Sequence, residues 1–166
     1  MRIFLDINVI LDVPLQRPGS ASSQKVLELC TEPGNSGFIA WHSLATLNYL
    51  LSKAIDHASA NAFLLDLIDQ VDVGPASTLL ARRALTLGFR DTEDAMQAVV
   101  AESLAADVIV TAMSLTSLAP PSPSKLQRNS FPPCLRRDEF IAIAESLQKP
   151  CSRQRFFGAI SLSVDP

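Results

Sequence analysis

The sequence predicts an α/β protein in which a parallel sheet carries helices on both faces. Three observations predict it. Short apolar, β-branched runs alternate with segments of helical period, the connections between them are short, and the first run ends on an acid, Asp6. An open parallel sheet delivers polar groups to the crevice beyond its strand ends in this way.

The elements follow in order. Ile3 to Leu5 reads as a buried strand. Ser20 to Cys30 has helical spacing in Val26, Leu27 and Leu29, with Pro33-Gly34-Asn35 as its stop. Gly37 to Trp41 reads as a second strand, and Trp41, the only tryptophan, reads as core rather than as a base-stacking platform. Ser43 is then an N-cap for a helix whose Leu44, Leu47, Leu50 and Leu51 fall on one stripe, and which frays near His57. That stripe suits a core or a dimer face. Asn61 to Gln70 is amphipathic with Phe63, Leu64, Leu67 and Ile68 inward, and Val71 to Val73 is a third strand before Gly74-Pro75. Ala76 to Leu87 is helical and closed by Gly88, and Asp91 to Ala105 forms the next helix, with Ala95, Ala98 and Val99 inward. Asp107 to Thr111 is the most strand-like stretch in the chain. From Ala112 to Phe131 the composition changes to Ser, Pro, Thr and Leu without period, an inserted loop. Pattern returns at Pro133 to Leu135, an edge strand, and at Asp138 to Leu147, a helix with Phe140, Ile141, Ala144 and Leu147 on one face. One domain over residues 1–147 with a tail over 148–166 is expected.

A chain of 166 residues, 48% hydrophobic, buries a sizeable core without staples. Its net charge of −3 excludes a module that holds nucleic acid by bulk electrostatics, so any nucleic acid must be held locally. Three cysteines, Cys30, Cys134 and Cys151, form no C-x-x-C pattern, which argues against a disulfide framework or a zinc site. Asp6 interrupts any signal-peptide run, and no stretch reaches the ~20 apolar residues of a membrane span. A cytoplasmic protein is expected.

The chemistry must come from carboxylates. His42 and His57 lack a metal-binding partner pattern and read as structural, and no phosphate loop, dinucleotide fingerprint or nucleophile elbow is present. What remains is Asp6 and the cluster Asp91-Thr92-Glu93-Asp94 at a helix start. Strand ends and helix starts share one rim of a parallel sheet, so both acidic groups converge on one crevice. Like charges there raise one another's pKa unless a hard cation such as Mg²⁺ or Mn²⁺ lies between them. Asp91 as an N-cap, with Glu93 and Asp94 answering the helix dipole, is the plain structural alternative.

On these residues the sequence resembles the PIN-domain family. Phe4-Leu5-Asp6-Ile7-Asn8-Val9-Ile10-Leu11-Asp12 matches its opening motif and Asp91-Thr92-Glu93-Asp94-Ala95-Met96-Gln97-Ala98 its central acidic motif. Val108 to Thr111 matches the following strand, and Pro133 to Phe140 the last strand and helix. The resemblance implies a three-layer α/β/α fold with about five parallel strands, and Mg²⁺- or Mn²⁺-dependent endoribonuclease activity. It also implies service as the toxin of a VapC-type pair with a cognate antitoxin, as a homodimer. Asp6 and Asp94 would be the principal metal ligands, Asp91 and Glu93 auxiliary acids, and Asn8 and Thr111 would orient the site. Where members carry a Glu on the helix after the second strand, the nearest equivalent here is Asn48. Beyond Thr111 the family's Thr-Arg-Asn and Asp-Phe give way to Ala112-Met113-Ser114-Leu115, with no acid until Asp138. One carboxylate is therefore missing, and weak turnover is expected. A PIN-fold protein that binds RNA or a partner without turnover is the alternative. A haloacid-dehalogenase-like phosphatase would want a second Asp where Asn8 stands. Arg82, Arg83 and Arg90 are candidate phosphate contacts, with a solvated helix face as the plain alternative.

Overall fold

The computed structural model describes residues 1–112 and 132–147. The order is β1 (Arg2–Leu5), α1 (Ile7–Asp12), α2 (Ser20–Cys30), β2 (Ser36–Ile39), α3 (Trp41–Ala54), α4 (His57–Ile68), β3 (Val71–Val73), α5 (Thr78–Thr86), α6 (Thr92–Ser103), β4 (Val108–Thr111), β5 (Cys134–Arg136) and α7 (Arg137–Leu147). The five strands form one sheet in the order β3-β2-β1-β4-β5, and every pairing is parallel. This is the predicted fold class.

Strand periodicity sorts the core into two layers. Ile3 and Leu5 face one side, where they meet Val26 of α2, Leu47 and Leu51 of α3, Leu64 of α4 and Phe140 of α7. Phe4, between them, faces the other side with Phe38, Ile109, Val100 and Ala101. There α6 covers the sheet, and α5 packs on α6 through Ala84, Ala95 and Val99. β1 is central and buried on both faces, which is why its sequence reads as a continuous apolar run. Gly37 lets α2 and β3 close over β2: a Cβ there would lie 2.7 Å from both Cys30 Cβ and Val71 Cγ1.

Several boundaries differ from expectation for identifiable reasons. β2 stops at Ile39 because Ala40 turns the chain and Trp41 opens α3. Trp41 is therefore 62% exposed and not core. Ser43 is not the cap: it lies inside the first turn, buried, with its hydroxyl unpartnered. Leu47 and Leu51 of its stripe are core, whereas Leu44 and Leu50 are partly buried. α4 begins earlier than predicted because Asp56 caps it, its carboxylate accepting from the Ser59 amide at 2.9 Å. Ile68, expected inward, is exposed. The start of α5 is likewise set by Ser77, whose hydroxyl accepts from the Leu80 amide. Apart from Ala112, the predicted inserted loop lies outside the described residues, as does the tail over 148–166.

α7 is fastened by a contact the sequence did not announce. The Arg137 guanidinium pairs with Asp12 at the end of α1, and both are largely buried. Ser23 of α2 donates to the same Asp12 oxygen at 2.8 Å, and Arg137 also donates to the Pro18 carbonyl at 3.2 Å. Gly19 makes room for this cation: it has φ +94, and a Cβ on it would fall 1.8 Å from Arg137 Nη2.

Candidate metal-binding acidic site

Asp6 is the first residue beyond β1 and the N-cap of α1, but its side chain makes no capping hydrogen bond. Its amide still donates to the Val110 carbonyl at 3.0 Å, extending the ladder toward β4. The carboxylate, only 7% exposed, is turned into the sheet rim and held by three neutral donors. Thr111 Oγ1 donates to Oδ2 at 2.9 Å, Asn8 Nδ2 to the same oxygen at 3.4 Å, and Gln97 Nε2 to Oδ1 at 3.4 Å. Asp6 thus draws on α1, α6 and β4 at once.

The other acids arrive on the first turn of α6. Asp91 caps that helix, accepting from the Glu93 amide at 2.7 Å, so the plain structural reading of Asp91 holds at least in part. Glu93 and Asp94 follow it inward. Burial pushes the Asp94 carboxyl up to about 6, and the negative charges of Asp91, Asp6 and Glu93 push the same way. Glu93 is also raised, by burial first, then by Asp91, with a hydrogen bond from Thr46 opposing and Asp6 adding a little. One of its oxygens, Oε1, is buried without a hydrogen-bond partner. Among the described residues every neighbouring charge acting on Asp94 is another carboxylate, so the four acids share one electrostatic site with no described cation to offset them.

Three contributors were missed in the sequence. Gln97 is buried and reaches Asp6 from the second turn of α6; its signal was a polar side chain at helical spacing from Glu93 and Asp94 on an otherwise apolar face. Thr46, rather than Asn48, is the α3 residue that meets the acids. Asn48 turns to α4, donating to Asn61 Oδ1 at 2.6 Å and accepting from Ser52. Cys134, on β5, lies beside the site: burial pushes its thiol up to about 12, with Asp6, Asp94 and Glu139 adding to the rise. No sequence pattern pointed to it, because its place depends on the β4–β5 pairing of Ile109 with Cys134. Of the candidate phosphate contacts, Arg82 and Arg90 are exposed, while Arg83 is paired with Glu102 of α6 at 2.6 Å.

Among the described residues, no three of the Asp, Glu, His and Cys side chains gather closely enough to enclose an ion by themselves. The donors that do converge are carboxylate oxygens, with Glu93 Oε1 unsatisfied, a set that fits a hard cation retaining much of its water.

The charge cluster has a consequence for stability. Because the Asp94 pKa is raised from 3.8 to about 6, the folded protein binds more protons than the unfolded chain between those values. Stability therefore falls as pH rises through that window and stays low above it. Asp94→Asn is expected to stabilise the metal-free protein by about 1 kcal/mol at pH 7.5, allowing for solvent screening, and to have little effect near pH 4. Melting curves at the two pH values check this; equal melting of both proteins at pH 7.5 would show that the charges do not interact.

No described helix is long and apolar enough to cross a membrane. A search of curated proteins finds no match. Among solved structures, the chain is similar to a DNA-bound VapBC from Salmonella typhimurium, with TM-score 0.59 and 18% identity over 82% of this chain and 98% of that one. It is similar also to VapBC2 from Rickettsia felis bound to a promoter DNA fragment, with TM-score 0.57 and 20% identity over 70% of this chain and 90% of that one. A third is VapC20 of Mycobacterium tuberculosis, described as a Sarcin-Ricin loop cleaving toxin, with TM-score 0.54 and 17% identity over 64% and 86%. At these identities the likeness carries the fold. The sequence profile of the PIN domain matches residues 2–112, which include β1 through β4 and every acid of the site, and the chain therefore belongs to the PIN-domain family.

Proposed function

We propose that this PIN-domain protein is a divalent-metal-dependent endoribonuclease, the toxin of a toxin–antitoxin pair. The observation that carries the reading is a carboxylate cluster with no cation against it among the described residues, with Asp6 buried just beyond the central strand and Asp94 raised by burial and by its acidic neighbours. A fold tolerates such a cluster where a cation is to be held. The described neighbours, two VapBC assemblies and a toxin that cleaves the Sarcin-Ricin loop, support the same reading.

Asp6 and Asp94 would hold Mg²⁺ or Mn²⁺, with Asp91 and Glu93 as auxiliary acids. When bound, the ion supplies Lewis acidity toward a phosphodiester and lowers the pKa of water. The protein's own part is orientation and charge. Thr111, Gln97 and Asn8 leave the Asp6 carboxylate little freedom to rotate, so its charge is presented in one direction. Glu93, with one buried oxygen unpartnered, keeps a lone pair for a proton or for a ligand that enters the site. Arg82, midway along α5, and Arg90, in the loop before α6, are exposed and would meet phosphates. An antitoxin partner, a homodimer and a cytoplasmic location belong to this reading, and the exposed Leu79 and Leu85 of α5 give the protein apolar surface to cover.

The test is cleavage of a structured RNA panel in Mn²⁺, in Mg²⁺ and in EDTA. Metal-dependent cutting at discrete sites supports the proposal. A second reading, a PIN-fold binding protein without turnover, is favoured by one observation: no acid follows Thr111 until Asp138, which pairs with Arg137 at 3.7 Å and is exposed. RNA retained but uncut under all three conditions would establish that reading in place of the first.

A further inference from the structure

The hydrogen bonds on Asp6 limit what it can offer to a cation. A carboxylate has two oxygens and about four lone-pair directions between them. Thr111 Oγ1 at 2.9 Å and Asn8 Nδ2 at 3.4 Å both donate to Oδ2, while Gln97 Nε2 donates to Oδ1 at 3.4 Å. Oδ2 is therefore fully engaged, and one direction on Oδ1 stays open. Because the buried carboxylate is held from β4, α1 and α6 at once, it cannot present its other oxygen without giving up these bonds. The acids of α6 are unequal too. Asp91 is exposed and drawn onto its own helix end, accepting from the Glu93 amide at 2.7 Å. That leaves Asp94 and Glu93, whose Oε1 is buried and unpartnered.

We propose that this chain holds one divalent cation rather than two, and that Asp6 meets it through Oδ1 alone. This deepens the nuclease reading and rests on its metal site. Paired ions in a phosphodiester-cleaving site lie about 3.5–4 Å apart, close enough that a carboxylate giving one oxygen to each ties them together. Asp6 is the most buried of the four acids and cannot bridge in that way, since Oδ2 already accepts from two donors. A second ion would also need oxygens of its own. Among the described residues Asp94 feels no acid beyond Asp91, Asp6 and Glu93, so Asp94 and Glu93 would have to be divided between two ions. One ion can use both.

The count can be read on the full chain without any substitution. Calorimetric titration with Mn²⁺ should give one ion per chain, and paramagnetic resonance of the loaded protein should show the spectrum of an isolated ion. Asn8→Asp then tests the cause. It turns the weaker Oδ2 donor into an acceptor, freeing a lone pair and setting a second carboxylate oxygen at about the distance the 3.4 Å hydrogen bond now spans. Oxygens roughly 3 Å apart are neighbours around an ion with bonds of about 2.1 Å. The count should rise to two, with a magnetically coupled spectrum, and melting curves confirm that the variant folds. Two ions in the parent, no ion in the parent, or a count of one in folded Asn8→Asp overturns the proposal. RNA cleavage by the same samples separates it from the nuclease reading. One ion bound with RNA uncut sustains the count and sinks that reading; two ions bound with metal-dependent cutting does the reverse.

Discussion

Asp6→Asn is expected to abolish tight Mn²⁺ binding and to lower RNA cleavage by at least ~10²- to 10³-fold, the usual scale for losing one preorganised charge-stabilising group. The substitution isolates charge from shape. An Asn side chain fills the same space and its oxygen still accepts from Thr111, while its NH2 takes the place of the oxygen that accepted from Gln97, whose amide must turn its own oxygen inward to keep a hydrogen bond. The negative charge that presses on Asp94 and Glu93 disappears. The folded protein should therefore keep or slightly raise its melting temperature while losing its metal, the opposite of a packing defect. Calorimetric titration with Mn²⁺ checks the first half and thermal melts the second. A variant that binds Mn²⁺ as tightly as the parent would remove Asp6 from the ligand set.

The second large effect is structural. Arg137→Met should destabilise the fold by about 3–5 kcal/mol, because it strands the buried Asp12 carboxylate without its cation. Only the Ser23 hydroxyl would remain to it at 2.8 Å, and one neutral donor does not replace a guanidinium. For a chain of this length such a loss lowers the melting temperature by roughly 6–20 °C. Pairing Arg137→Met with Asp12→Leu should recover much of it, since removing both charges leaves no orphan. A single variant melting within a degree or two of the parent would show that the ion pair contributes nothing net.

The sheet was legible because burial on both faces leaves an unmistakable trace: Ile3-Phe4-Leu5 and Val108-Ile109-Val110 admit no polar residue. The acids were legible because strand-terminal Asp6 and the run from Asp91 to Asp94 must share one rim once the strands are parallel. What escaped was set by pairs distant in sequence. Gln97 meets Asp6 across 91 residues and Arg137 meets Asp12 across 125. Either polar residue, read locally, is an ordinary surface position on a helix. Trp41 escaped for another reason. Hydrophobicity alone put it in a strand, whereas the chain turns at Ala40 and spends the indole on the outside of α3. Asn48 and Thr46 are two residues apart and so point to nearly opposite sides of one helix, and only packing decides which flank the acids occupy.

The central place of β1 has a consequence for the order in which the protein is made. β1 is synthesised before its partner strands, so one of its edges waits for β2 and the other for β4, and Asp6 receives its Thr111 hydroxyl from a residue 105 positions later. At usual rates of synthesis that interval is roughly 5–20 s. Throughout it the nascent chain carries an apolar strand with an open edge, and Asp6 lacks the hydroxyl that holds its carboxylate in place.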